Sequence, residues 1–142
     1  MNGGSVKLTG DTIRYIPIFE NITKARIKDC IDCEDKMIFI VESGQLGLAI
    51  GKGGANIRIL KDLLKKNIDI IEYAPEIDRF IRNIFHNYKI LEIAEDKNRK
   101  KVIRVTVAAV DKGKVIGRSG KNIELVRNIV KRYHDIEDVV IA

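Results

Sequence analysis

Two spacings of apolar residues alternate along the chain, one helical and one strand-like, and the whole succession occurs twice. It is plainest in the second half. Ile77, Phe80, Ile81, Ile84 and Phe85 form one apolar face over 75–87, opened by Pro75 and Glu76, which suit the first turn of a helix. Over 88–94, Ile90, Glu92 and Ala94 share one face and Leu91 and Ile93 the other, which is the alternation of a strand. The β-branched stretch 101–107 predicts its partner, with the polar residues 96–99 as a hairpin turn. A short helix over 111–116 and a longer one over 121–133 follow. The longer one turns Ile123, Val126, Ile129, Val130 and Tyr133 inward, and a last strand occupies 139–141.

The first half has the same order. A helix is expected over 11–19 with Ile13, Ile16 and Phe19 on one side, kinked or shortened by Pro17. Strands at 25–33 and 36–42 pair across Glu34-Asp35. A short helix over 45–50, a loop at 51–54 and a helix over 55–65 come next, then a strand at 68–73. Ile57, Leu60, Leu63 and Leu64 form the buried stripe expected of the 55–65 helix. The pattern therefore predicts an α+β protein of two similar units, 1–74 and 75–142, each ordered helix-strand-strand-helix-helix-strand. Only Ala74-Pro75 separates them, a stiff connection expected to restrict their relative orientation. Units near this size have marginal cores alone, so the two are expected to pack together.

Composition narrows the partners. The 142 residues carry 26 Lys and Arg against 20 Asp and Glu, a net charge of +6, which permits a polyanionic partner without requiring one. The longest apolar run, 37–41, is far too short to cross a bilayer, and the first five residues lack the pattern of a signal peptide. A cytoplasmic protein with no membrane partner is expected. Cys30 and Cys33 make one C-x-x-C, which suggests half a zinc site or a redox pair. The only histidines, His86 and His134, are distant in sequence, and a strand would point the two cysteines to opposite faces, so the pair reads as structural and no metal is expected.

The strongest chemical signal is a repeated octapeptide. Ile50-Gly51-Lys52-Gly53-Gly54-Ala55-Asn56-Ile57 returns as Ile116-Gly117-Arg118-Ser119-Gly120-Lys121-Asn122-Ile123, at an offset of 66 (117 minus 51) that Gly47 and Gly113 also keep. Glycines permit positive φ and close approach of a polymer backbone. The helix that follows directs free amides and a positive dipole end at the visitor, which favours phosphate. Lys52 and Arg118 add a full charge at the same place. The plainer reading, a helix-capping turn, fits one loop well and two in register poorly.

Nucleotide enzymes fail on spacing. From Gly47 to the Gly51-Lys52 pair there are three intervening residues, not four, and Gly53 stands where a P-loop needs a hydroxyl. Asn56 stands where a dinucleotide fingerprint needs glycine. No catalytic set recurs in both units, so neither enzyme activity, a cofactor nor a small-molecule substrate is expected. The small-xxx-small pairs Gly47/Gly51 and Gly113/Gly117 lie in segments too short for membrane helices and read as close packing. Aromatics are 6% of residues with no Trp, which disfavours ring-stacking platforms for bases. Ile50, Ile57, Ile116 and Ile123 flank the loops and suit either a core edge or an aliphatic groove for bases. Arg58 and Lys121 are the nearest further cations. Lys61, Lys65, Lys66, Arg127, Lys131 and Arg132 read first as a solvated helix face, and the turn at 97–101 is a second basic cluster, either a soluble turn or an extra phosphate contact.

These loops resemble the Gly-x-x-Gly signatures of KH domains, and the element order resembles the type II form. Two such units with almost no linker resemble the NusA family in its short archaeal form, over essentially the whole chain. The resemblance implies two type II KH folds, each a three-stranded sheet packed against helices, forming one single-stranded RNA surface in transcription elongation, termination or antitermination. Each loop would clamp about four nucleotides. The family's loop residues map onto Gly51, Lys52, Gly53 and Gly54 and onto Gly117, Arg118, Ser119 and Gly120. The chain leaves no room for the polymerase-binding N-terminal domain or the S1 domain of the bacterial members. RNA polymerase is thus a weaker expectation than RNA, and a KH module of ribosome assembly or RNA processing is the alternative.

Overall fold

The structure is a computed structural model that describes residues 10–33 and 35–142. The chain divides into two compact units between Ala74 and Pro75. The first holds α1 (Gly10–Thr23), β1 (Ile27–Asp32), β2 (Lys36–Val41), α2 (Leu46–Ile50), α3 (Ala55–Leu64) and β3 (Asn67–Glu72). The second holds α4 (Ile77–Ile84), β4 (Ile90–Glu95), β5 (Val102–Val107), α5 (Ala109–Ile116), α6 (Lys121–Tyr133) and β6 (Asp138–Ile141). Both have the α-β-β-α-α-β order that the pattern predicts.

In each unit the middle strand pairs antiparallel with its hairpin partner and parallel with the last strand, giving sheets β1-β2-β3 and β4-β5-β6. Parallel neighbours require a crossover. The α2–α3 pair and the α5–α6 pair are those crossovers, and each glycine loop is the bend between their two helices. Each unit has its own core. Phe19 of α1 stacks on Phe39 of β2 at 4.4 Å, with Leu60 of α3 fully buried beside them. In the second unit Val105 and Val107 of β5 lie among Ile81 of α4, Val115 of α5 and Val126 of α6.

Several expectations need correction. Helix α1 does not stop near Pro17 but continues to Thr23. Pro17 is exposed, and the amide it lacks would have bonded Ile13, itself 52% exposed, so the missing bond falls on the solvent side of the helix. Burial of Phe19 and Thr23 holds the later turns, with the Thr23 hydroxyl donating to the Phe19 carbonyl at 2.9 Å. Ile13 is not part of the inward face, because about 100° per residue sets it about 120° round from Phe19. On α3, Leu63 is 56% exposed although Leu60 is fully buried. It lies about 60° round from Leu60, on the side away from Ile57 and Leu64. In β4 the register slips between Ile90 and Glu92, so Ile90 and Ile93 both pack on the core and Leu91 is 54% exposed. The same slip occurs in β1 between Ile27 and Asp29.

Candidate nucleic-acid interface

The two glycine loops have one backbone conformation. Gly51 has φ 78° and ψ 166° against 81° and 168° at Gly117. Gly53 has 61° and 22° against 56° and 26° at Ser119, and Gly54 has 76° and 18° against 73° and 15° at Gly120. Every one of these angles agrees within 5°. Left-handed φ at three of four positions explains the glycines, and Ser119 shows that the middle one tolerates a small side chain.

The glycines do not have equal roles. A Cβ on Gly51 would lie 2.8 Å from Asn56 Nδ2, and one on Gly117 would lie 2.8 Å from Asn122 Cβ. These two are required by the loop's own packing. A Cβ on Gly53 would meet nothing within 4 Å, one on Gly54 only the Arg58 guanidinium at 3.6 Å, and one on Gly120 only an Ile123 methyl at 3.9 Å. The middle of each loop is therefore open to an approaching chain. Lys52 and Gly53, like Arg118 and Ser119, are exposed there, directly before the first turns of α3 and α6.

Sequence reasoning gave no role to the asparagines. The Asn56 amide donates to the Leu48 carbonyl at 3.1 Å, and the Asn122 amide donates to the Val115 carbonyl at 2.8 Å. Each ties the start of one helix to the end of the other and so fixes the bend. The signal was present, since Asn recurs at the same register in both octapeptides. It lacked meaning until the bend placed it beneath the first glycine.

Other candidate residues are placed differently in the two units. Arg58 folds back, its Nη1 donating to the Gly53 carbonyl at 2.6 Å, so that its charge lies at the first loop. The matching position in the second unit is Glu124, which pairs with Arg127 at 3.3 Å. Lys121 is exposed at the start of α6, where the first unit has Ala55. Ile50, Ile57 and Ile116 are half-buried at the edges of the cores, whereas Ile123 is only 5% exposed and offers little surface to a ligand.

Cations farther along the helices are partly committed elsewhere. Lys66 pairs with Asp32, and that hydrogen bond holds its ammonium above the usual lysine range. Arg127 pairs with Asp138 at 2.7 Å and donates to the Val139 carbonyl at 3.0 Å, fastening α6 to β6. Cys30 is buried in β1, and burial, with Asp29, Asp32 and Cys33 adding to it, pushes its thiol up to about 12. Cys33 lies just past the strand, half-buried and not in a disulfide. Among the described residues no three His, Cys, Asp or Glu side chains are placed to hold a metal ion. Among them, too, no helix is long and apolar enough to cross a membrane.

The comparisons with known proteins agree with this geometry. A family model described as "KH domain" matches residues 13–86, and one described as "NusA-like second KH domain" matches residues 77–141. The chain is 35% identical over 135 residues to "Probable transcription termination protein NusA" of Methanocaldococcus jannaschii, across 94% of this chain and 74% of the relative. It is 32% identical over 140 residues to the protein of the same name from Thermoplasma acidophilum, across 98% of this chain and 97% of the relative. The solved structure "Crystal structure of APE1850" matches with a TM-score of 0.70 and 35% identity, over 95% of this chain and 100% of that one.

Proposed function

The chain belongs to the KH-domain family in its NusA-like tandem form, and from that premise we propose that it is a non-enzymatic, single-stranded RNA-binding factor of transcription elongation, termination or antitermination. The observation that carries the reading is the pair of loops with matching backbone angles, each open at its middle and each bearing an exposed cation. Phosphates approach the open centres at Gly53 and Ser119. The dipole ends and first amides of α3 and α6 favour the anionic backbone, and Lys52 and Arg118 add full charges. Asn56 and Asn122 hold the bends in the shape that meets the phosphates without cost at the moment of binding. Arg58 in one unit and Lys121 in the other supply a second cation at each loop. The half-buried Ile50, Ile57 and Ile116 offer aliphatic surface to the bases that follow.

This grip reads no sequence through the phosphates themselves. The names of the relatives favour transcription over ribosome assembly or RNA processing. A termination factor acts where RNA polymerase delivers its transcript, so polymerase is the proposed neighbour in the cell. Two measurements test the reading. On addition of a short single-stranded RNA, the amide resonances of Gly51–Gly54 and Gly117–Gly120 should shift first, and shifts centred on the exposed sheet residues instead would contradict it. In cells the protein should be recovered on elongating polymerase, and recovery on ribosomal subunits alone would move the function to the ribosome.

A further inference from the structure

The two glycine loops share one shape but not one means of keeping it. Gly53 and Gly54 in the first, like Ser119 and Gly120 in the second, are the central pair of a tight turn with positive φ at both positions. The next amide closes each turn, Ala55 onto the Lys52 carbonyl and Lys121 onto the Arg118 carbonyl. This is the type I′ form. Rotating the central peptide by about 180° converts it to type II′, which reverses ψ at the first central residue and φ at the second. Type II′ takes glycine at its first central position. With φ of 61° at Gly53 and 56° at Ser119, a reversed ψ enters a region open essentially to glycine alone. Ser119 therefore bars the rotation by its own Cβ, and Gly53 does not.

One restraint is common to both loops. The Gly54 amide donates to the Gly51 carbonyl and the Gly120 amide to the Gly117 carbonyl, each at 3.1 Å, so that bond opposes the rotation equally in the two units. Arg58 adds what Gly53 lacks. Its Nη1 donates at 2.6 Å to the Gly53 carbonyl, which belongs to the peptide that would rotate. Rotation would turn this carbonyl away from the guanidinium. Losing a bond from a charged donor shifts such a balance on the order of tenfold or more. The counterpart of Arg58 in the repeat is Glu124, whose ionised carboxylate cannot donate to a carbonyl and pairs with Arg127 instead. Each loop thus has one of two devices, a Cβ at its centre or a donor reaching it from the helix.

We propose that Arg58 is a positioning residue, a latch that holds the first loop in the type I′ turn that Ser119 enforces in the second. The second loop has no access to the other form, so the shape the two have in common is the one that meets a phosphate. A latched loop is already in that shape when RNA arrives, whereas an unlatched one binds only through the fraction of molecules that have it. The role is distinct from the charge Arg58 brings, because a charge alone needs no bond to the Gly53 carbonyl. The inference rests on the reading of the loops as RNA phosphate grips, and the experiment separates the two.

The full chain and its Arg58→Ala variant are compared first by amide relaxation dispersion without RNA, which reads interchange on the microsecond to millisecond scale. Arg58 is exposed, so the variant should fold as wild type does, and the amides of Gly117–Gly120 give an internal reference. Exchange should appear at Gly53 and Gly54 in Arg58→Ala. It should vanish when Gly53→Ser is added, because a Cβ there meets nothing within 4 Å and bars the rotation. Affinity for an RNA of about four nucleotides, read at the first loop, should fall about tenfold in Arg58→Ala. It should recover roughly threefold in the double variant, the remaining loss being that of the charge. The converse pair should behave alike: Ser119→Gly should start exchange at Gly120, and Glu124→Arg added to it should quiet the loop. Amides that stay quiet in Arg58→Ala, or an affinity that Gly53→Ser fails to raise, would overturn the latch while RNA binding stands. Wild type that binds no RNA would instead remove the reading on which the proposal rests.

Discussion

At φ 56° Ser119 occupies a left-handed conformation that costs a non-glycine residue about 1–2 kcal/mol, at the point where the first loop has Gly53. Ser119→Gly should therefore stabilise the second unit by about 1 kcal/mol and raise its melting temperature by roughly 4–8 °C. Gly117→Ala should do the opposite, because φ is 81° and the new Cβ would sit 2.8 Å from Asn122. A loss of about 1–3 kcal/mol is expected, read by denaturant unfolding. Cys30 gives a pH signature. Its thiol ionises near 12 when folded and near the ordinary 9.0 when unfolded, so the unfolded state loses its proton first. The stabilisation is complete below about pH 9 and is lost as pH rises toward 12. Cys30→Ala should flatten that part of the pH–stability curve, and an unchanged curve would show that another group controls it.

On the scale of elements, the order of helices and strands was legible because each unit states it in one chain, and one copy supports the other. α6 was read to the residue, since Ile123, Val126, Ile129 and Val130 keep strict helical spacing and the flanking glycine starts it. The end of α1 was not, whereas that of α3, expected at 65, came within one residue. α1 stops at Lys24, a left-handed position where glycine is the usual residue. Packing against the sheet, not local preference, carried α1 past Pro17. Likewise the bulges in β1 and β4 are tertiary features that simple alternation does not encode, which is why Ile93 was expected to share a face with Leu91 and instead packs on the core with Ile90. The loops themselves were legible in full, while the asparagine straps and the bond from Arg58 to Gly53 needed coordinates. α3 offers a direct comparison. Leu60→Ala should cost about 2–5 kcal/mol and Leu63→Ala less than about 0.5, because one is fully buried and the other is 56% exposed. Equal losses would mean that the assigned face of α3 is wrong.

For the whole molecule, what matters is that two similar loops belong to one chain. On the proposed reading, a strand long enough to reach both loops is held at an effective concentration set by the covalent connection, so the pair can exceed either alone without any new contact. Altering one loop should leave weak binding, and altering both should leave none. The net charge of +6 adds a general attraction that rising salt weakens. The most direct test is an RNA titration of the chain carrying Lys52→Asp, Gly53→Asp, Arg118→Asp and Ser119→Asp. Asp enters left-handed backbone more readily than most residues, and a Cβ at Gly53 has open space, so the fold should survive and its melting curve should confirm it. Binding of single-stranded RNA should then disappear, while undiminished affinity in the folded variant would contradict the phosphate grip.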